Sequence, residues 1–260
     1  MSLKEIGLHH GTDKATHHDY IRWYEQWLEP LRNEPVTLLE LGYGGHENPE
    51  LGGASALMWR DYFPNGKIVV VDIEEKTLTA KHDGINFRRG SQSDEAFLKG
   101  IHAEFGDFDV IIDDASHVSS LTIRSLEILW PMLKAGGIYA VEDTHMAYHS
   151  HYYGDHEANL DPDKPTSTGA PTAMQYLRRL ADDANYKGRW GLDLFPANMP
   201  VALIWTGCIS LSTCAVFGKR LNENLHSRPP QPTQIRRHAG NPPWRPRHHG
   251  RRRSWCSVGA

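Results

Sequence analysis

The sequence predicts an α/β fold built on a doubly wound, mostly parallel sheet with helices on both faces. Three observations predict it. Short apolar runs of strand length recur along the chain, and segments of helical periodicity stand between them. The runs are apolar rather than strictly alternating, which suits strands covered on both faces. In order, VTLLEL (36–41) runs apolar up to Gly42, and SALMWRDYF (55–63) has helical spacing and stops at Pro64. KIVVVDI (67–73) is a β-branched strand and NFRRG (86–90) a weaker one. SDEAFLKGIHAEF (93–105) reads as a helix with Ser93 as its N-cap and acids in its first turn. FDVIIDD (108–114) is a buried strand, SLTIRSLEILWPML (120–133) a helix ending before Gly136 and Gly137, and GIYAVED (137–143) another buried strand. A turn-rich stretch, DPDKPTSTGAPT (161–172), predicts a loop or lid, and MQYLRRLADDA (174–184) a further helix. VALIWTGC (201–208) and SLSTCAVFG (210–218) read as a closing hairpin. Ahead of all these, Tyr20, Ile21, Tyr24, Trp27, Leu28 and Leu31 have the spacing of an amphipathic helix over 18–31.

The 260 residues, 39% hydrophobic and 23% charged, suffice for one large domain with a sizeable core. No apolar run is long enough to cross a membrane, and the first residues, MSLKEIGLHHGTDK, lack the apolar stretch of a secretory signal. Cys208, Cys214 and Cys256 have neither metal-ligand spacing nor a disulfide framework, so a reducing cytoplasm is the expected location. The net charge of −4 hides an asymmetry: residues 219–260 carry ten Lys/Arg and one acid, and residues 1–218 carry 18 basic and 31 acidic side chains. An acidic body argues against nucleic-acid binding, because phosphate neutralisation needs a basic face. The division expected is a helical segment over 1–35, the α/β domain over 36–218, and a basic Pro/Arg-rich tail over 219–260. The tail holds six of the 16 prolines and almost no aliphatic residues, the composition of disorder. It reads as a basic arm for an acidic partner or as a segment not native to the protein, and the second reading is preferred.

Open parallel sheets bind ligands beyond the carboxyl ends of their strands. The chemistry-bearing residues gather there. The first strand ends in Glu40-Leu41-Gly42-Tyr43-Gly44-Gly45, where glycines permit a tight turn and close approach of backbone to ligand. The second ends in Asp72, an acid placed to accept from ribose hydroxyls. The turn lacks the G-x-G-x-x-G pattern, which counts against a nicotinamide dinucleotide; the bland alternative is a plain strand–turn–helix. The fourth strand ends in Asp113-Asp114-Ala115-Ser116-His117 and the fifth in Glu142-Asp143-Thr144-His145. So many acids at neighbouring strand ends repel one another unless something positive neutralises them, and a hard divalent cation such as Mg²⁺ does so. The plainer reading is solvated loop acids and helix caps. His117 stands where a general base would, or is a surface histidine. His145, His149, His151 and His156 read as polar loop residues.

At these residues the sequence resembles the metal-dependent sugar O-methyltransferases of macrolide and related antibiotic biosynthesis. The resemblance spans residues 11 to 217 and rests on GTDK (11–14), His18, Tyr20, Tyr24-Glu25, LLELGYGG (38–45), MWRDYFP (58–64), VVDI (70–73), GSQSD (90–94), FDVIIDDASH (108–117) and GGIYAVEDT (136–144). It implies a class I methyltransferase, Rossmann-like fold with a seven-stranded sheet. It implies a cytoplasmic enzyme that uses S-adenosylmethionine and Mg²⁺, or another divalent cation, to methylate a sugar hydroxyl on a small glycosylated acceptor. Glu40, Gly42, Gly44 and Gly45 would line the methionine end of the cofactor, Asp72 would hold the ribose, and Ser91 and Gln92 would lie near the adenine. Asp113 belongs to the same cofactor set. Asp114, Glu142 and Asp143 match the family's metal ligands and His117 its general base. The family usually has Asp at Ser91 and Gly at Ala115. Family members often form homo-oligomers, though this sequence has no oligomer signature of its own. Tyr148, Tyr152 and Tyr153 suit stacking on a sugar or anchoring of the loop. Two other functions stand beside the methyltransferase: a hydroxylase of the cephalosporin-hydroxylase-like group, and a non-catalytic cofactor-binding protein.

Overall fold

A computed structural model describes residues 1–190 and 215–218, with side chains through residue 181. The apolar runs form six strands: β1 (Thr37–Leu41), β2 (Lys67–Asp72), β3 (Ile85–Arg89), β4 (Phe108–Asp113), β5 (Leu133–Val141) and β6 (Ala215–Gly218). They form one sheet in the order β3-β2-β1-β4-β5-β6. The first five are parallel, and β6 pairs antiparallel with β5. The strand order reverses between β1 and β4, the switch point at which such sheets open a crevice. The sequence reading set seven strands; the described residues hold six, and the first arm of the expected hairpin (201–208) lies outside them, as does the tail over 219–260.

The helices are α1 (Leu3–His10), α2 (Ile21–Leu28), α3 (Ala54–Tyr62), α4 (Glu95–Phe105), α5 (Ser119–Leu129), α6 (Ser150–Tyr153) and α7 (Ala173–Trp190). The helix expected over 120–133 stops as α5 at Leu129. Pro131 lacks the amide a continuing helix needs, so a short 3₁₀ turn over Trp130–Met132 leads into β5. The Ser93 N-cap is corrected: Asp94 caps α4, its carboxylate accepting from the Phe97 amide at 3.1 Å.

Alternation along the strands splits the core into two clusters, one per face. Leu38, Ile68, Val70, Val110, Ile112, Ile138 and Ala140 face α1–α3 and pack with Leu3, Ile6, Tyr24, Met58 and Trp59. Leu39, Leu41, Val69, Val71, Ile111, Tyr139 and Val141 face the other way, onto Leu98, Leu126, Leu129 and Leu177. The segment over 1–35 is therefore sealed against the sheet by the same apolar burial that holds α3. Among the described residues no helix is long and apolar enough to cross a membrane.

Candidate functional site

The carboxyl ends of the five parallel strands are laced together one residue beyond their ladders. Gly42 N donates to Val71 O at 2.7 Å, Gly90 N to Asp72 O at 2.8 Å, Asp114 N to Leu41 O at 2.9 Å and Glu142 N to Asp113 O at 2.9 Å. Above this rim opens a cleft of about 610 Å³, whose walls include Gly42, Gly44, Gly45, Asp72, Ser91, Gln92, Asp114, His117 and Asp143. Gly42 has φ +97°, and a Cβ on it would lie 2.1 Å from the carbonyl oxygen of Asp114. Only glycine lets the turn after β1 pass so close to the end of β4. Asp72 shapes the neighbouring wall: its two oxygens accept from Tyr43 N and Glu74 N, each at 2.8 Å. A carboxylate retains acceptor capacity beyond those two bonds.

Strand alternation sorts the acids. Asp113 is 2% exposed and points away from the cleft, accepting from Ser125 Oγ at 2.5 Å and Gln92 Nε2 at 3.2 Å. Burial pushes its carboxyl up to about 7, against the hydrogen bonds that favour the charged form. Gln92 also accepts the Ser116 amide at 3.1 Å, so its amide braces the loop carrying His117. Ser91 Oγ lies 3.1 Å from Ser93 Oγ at the cleft wall.

Asp114, His117 and Asp143 turn toward the cleft, and one ligand atom from each lies within 4.8 Å of the others. His117 Nε2 is 3.6 Å from Asp143 Oδ2 and 3.9 Å from Asp114 Oδ1. Both His117 (φ +57°) and Asp143 (φ +48°) hold left-handed backbone, a strain commonly stored at functional sites. Tyr20 donates to Asp143 Oδ1 at 2.6 Å. That bond, with His117, His18 and His145 nearby, keeps Asp143 below the usual carboxylate range although burial pushes the other way.

Glu142 and Glu40 lie beneath, 3% and 0% exposed. Glu142 accepts from Tyr24 OH at 2.5 Å and from Lys14 Nζ at 2.8 Å. Lys14, 1% exposed, also donates to Asp114 Oδ2 and stands 3.8 Å from Glu40 Oε1. Glu40 takes a further bond from Trp59 Nε1 at 3.1 Å. Burial alone would discharge Lys14, but Asp114, Glu142 and Glu40 outweigh it and hold the ammonium well above its usual range. One ammonium does not balance the carboxylates around it. Burial, opposed by Lys14, carries Glu40 up to about 7, and burial with the repulsion of Asp114 pushes Glu142 up. The structure thus brings Asp114, Asp143 and His117 to the cleft and leaves Glu40, Asp113 and Glu142 in the layer below it. Lys14, Tyr20 and Tyr24 are site residues that sequence reasoning left without a role. GTDK and the tyrosines are visible as motifs, but nothing local says that a lysine in the short 3₁₀ turn Asp13–Ala15 is buried against a partner a hundred residues away in sequence.

The loop after β5 adds Tyr153, which donates to Ser116 O at 3.0 Å, while Tyr152 is exposed. His149 contacts both His145 and His151 edge to face. Among the described residues, the group of Asp114, His117 and Asp143 alone has metal-ligand spacing.

No family model matches the chain. Over 202 residues it is 35% identical to 8-demethyl-8-alpha-L-rhamnosyl tetracenomycin-C 2'-O-methyltransferase of Streptomyces olivaceus, covering 76% of this chain and 50% of that protein. Over 186 residues it is 34% identical to mycinamicin VI 2''-O-methyltransferase of Micromonospora griseorubida, covering 69% and 43%. The structure of the MycE methyltransferase from the mycinamycin biosynthetic pathway, in complex with Mg, SAH and mycinamycin VI, matches with a TM-score of 0.72 at 29% identity, over 86% of this chain and 54% of that one. The chain spans about half the length of the curated relatives it matches.

Proposed function

The chain is a homologue of the sugar O-methyltransferases of antibiotic pathways and shares their class I methyltransferase fold, and from that premise we propose that it methylates a sugar hydroxyl with S-adenosylmethionine and a divalent cation, Mg²⁺ by analogy. One observation carries the reading: the cleft runs without a break from the glycine turn and Asp72 to Asp114, Asp143 and His117. The acceptor is a small glycosylated molecule. Acids line the cleft, which suits a neutral sugar and not a polyanion such as nucleic acid. A cytoplasmic location belongs to the same proposal.

The residues fit both groups. At Gly44 a Cβ would find its nearest neighbour at 3.9 Å, so the turn leaves open space for a ligand against its backbone. Asp72 has lone pairs left for ribose hydroxyls, and Ser91 and Gln92 border the same space. Asp114 and Asp143 offer the hard oxygen donors a divalent cation takes, and Glu142 lies next to them. Bound there, the cofactor would supply an electrophilic methyl and the cation would lower the proton affinity of a sugar hydroxyl. His117 would accept the hydroxyl proton of the acceptor. Asp143, 3.6 Å from the ring, orients it. The left-handed backbone at His117 keeps the imidazole on the cleft side of the loop that Gln92 braces.

The test is transfer of a labelled methyl from S-adenosylmethionine to rhamnosylated or related deoxysugar polyketides, with Mg²⁺ and with EDTA. The expected product gains one methyl group in the Mg²⁺ reaction only. A gain of oxygen would replace the reading with a hydroxylase. Tight cofactor binding with no product across the panel would leave a non-catalytic binding protein.

A further inference from the structure

Lys14 is the one described cation inside the acid cluster, and the proposed reaction has no use for it. Its ammonium sits between Asp114 Oδ2 and Glu142 Oε2, the latter at 2.8 Å, with Glu40 at 3.8 Å. The other oxygen of Glu142 is taken by Tyr24. Glu142 therefore has both oxygens engaged, and one of Asp114's two oxygens is engaged as well. Asp114 Oδ1 remains on the cleft side, toward His117 and Asp143.

The geometry points to Lys14 as a tethered competitor of the divalent cation: its ammonium and the metal contend for Asp114 and Glu142, and the lysine sets the affinity of the site. This rests on the metal-dependent reading above and adds the residue that tunes it. A fixed positive charge that shares a carboxylate with a doubly charged ion repels it at a few ångströms, in surroundings that screen far less than water. Glu142 becomes available to a metal only as Lys14 withdraws from it. Lys14 also performs a service while the metal is away. Without it, Glu40 and Glu142 would be buried with no neighbouring cation, a costly arrangement.

Two consequences follow for Lys14→Met, which keeps the stem and removes the charge. Mg²⁺ should bind at least ten-fold more tightly by calorimetry, without cofactor or acceptor present. The variant should melt lower than wild type in EDTA, and saturating Mg²⁺ should raise its Tm by more than it raises wild type's. Lys14→Arg, which keeps the charge, should retain the wild-type Mg²⁺ affinity. Lys14→Gln replaces the methionine variant if that one does not fold, with the same direction of effect expected. Recovery of the methionine variant only in Mg²⁺ also supports the inference. Equal or weaker Mg²⁺ binding in both uncharged variants, with wild type binding normally, overturns the competition and leaves the metal reading standing. No Mg²⁺ response in any of the proteins, wild type included, overturns both.

Discussion

Asp113 offers a sharp test of how the strand ends are built. It is 2% exposed, held by Ser125 and Gln92, and its carboxyl is raised from 3.8 to about 7 because burial penalises the ionised form. The folded state therefore keeps a proton that the unfolded chain gives up from about pH 4 upward, so stability falls as pH rises toward 7 and levels off above it. The rise from 3.8 to about 7, at about 1.4 kcal/mol per tenfold change in proton affinity, sets a ceiling of ~4 kcal/mol. Over the interval from about pH 5 to about pH 8 the loss amounts to roughly 2–3 kcal/mol. Asp113→Asn keeps the size and an acceptor for Gln92 but has no proton to lose. Urea unfolding of wild type and variant across that interval, in EDTA and without cofactor, isolates the contribution. Glu40 and Glu142 titrate in both proteins and cancel in the difference. The variant should gain on wild type by about 2–3 kcal/mol as pH rises. Parallel profiles, with a difference constant to within about 0.5 kcal/mol, would refute the assignment of Asp113 as a buried, largely protonated brace.

Other consequences concern the cleft. His117→Ala should reduce turnover by about 10²–10⁴-fold while the calorimetric affinity for S-adenosylhomocysteine stays within two- to three-fold or so of wild type; unchanged turnover removes His117 as the base. Asp72→Asn replaces one acceptor oxygen with a donor facing the Tyr43 or Glu74 amide, and S-adenosylhomocysteine should bind roughly ten- to a hundred-fold more weakly. Gly42→Ala must hold φ +97° with a Cβ 2.1 Å from the Asp114 carbonyl oxygen. Backbone strain alone costs about 1–3 kcal/mol, so its melting temperature and cofactor affinity should fall together. A variant as stable as wild type would show that the turn and β4 are less closely packed than described.

The fold was legible because parallel strands covered on both faces are built from predominantly apolar runs, and β1, β2 and β4 are such runs even with Glu40 buried in β1. The site was legible as far as topology reaches: carboxyl ends of neighbouring strands must lie side by side, so Asp72, Asp114 and Asp143 share a rim. Which acid in each pair faces the cleft was not legible. Asp113 and Asp114 are adjacent in sequence but turn to different partners, Ser125 of α5 and Lys14, while Glu142 and Asp143 both accept from tyrosines at α2 and differ in depth; only the packing of α2 and α5 decides which carboxylate meets Tyr24 or Ser125. Ser93 and Asp94 are both good caps, and the choice falls to the side chain that reaches Phe97 N. Lys14 escaped because its partners are distant in sequence. The excess of acids was read as a need for positive charge, and the chain meets part of that need itself.

Hydrogen exchange with and without S-adenosylhomocysteine tests the central claim most directly, because it reports where a ligand sits as well as whether it binds. Amides over 43–46, 73–74 and 91–92 should exchange markedly more slowly in the complex, with α1 and α4 unchanged. Binding without protection of the turn after β1, or protection confined to another face of the sheet, would contradict the account.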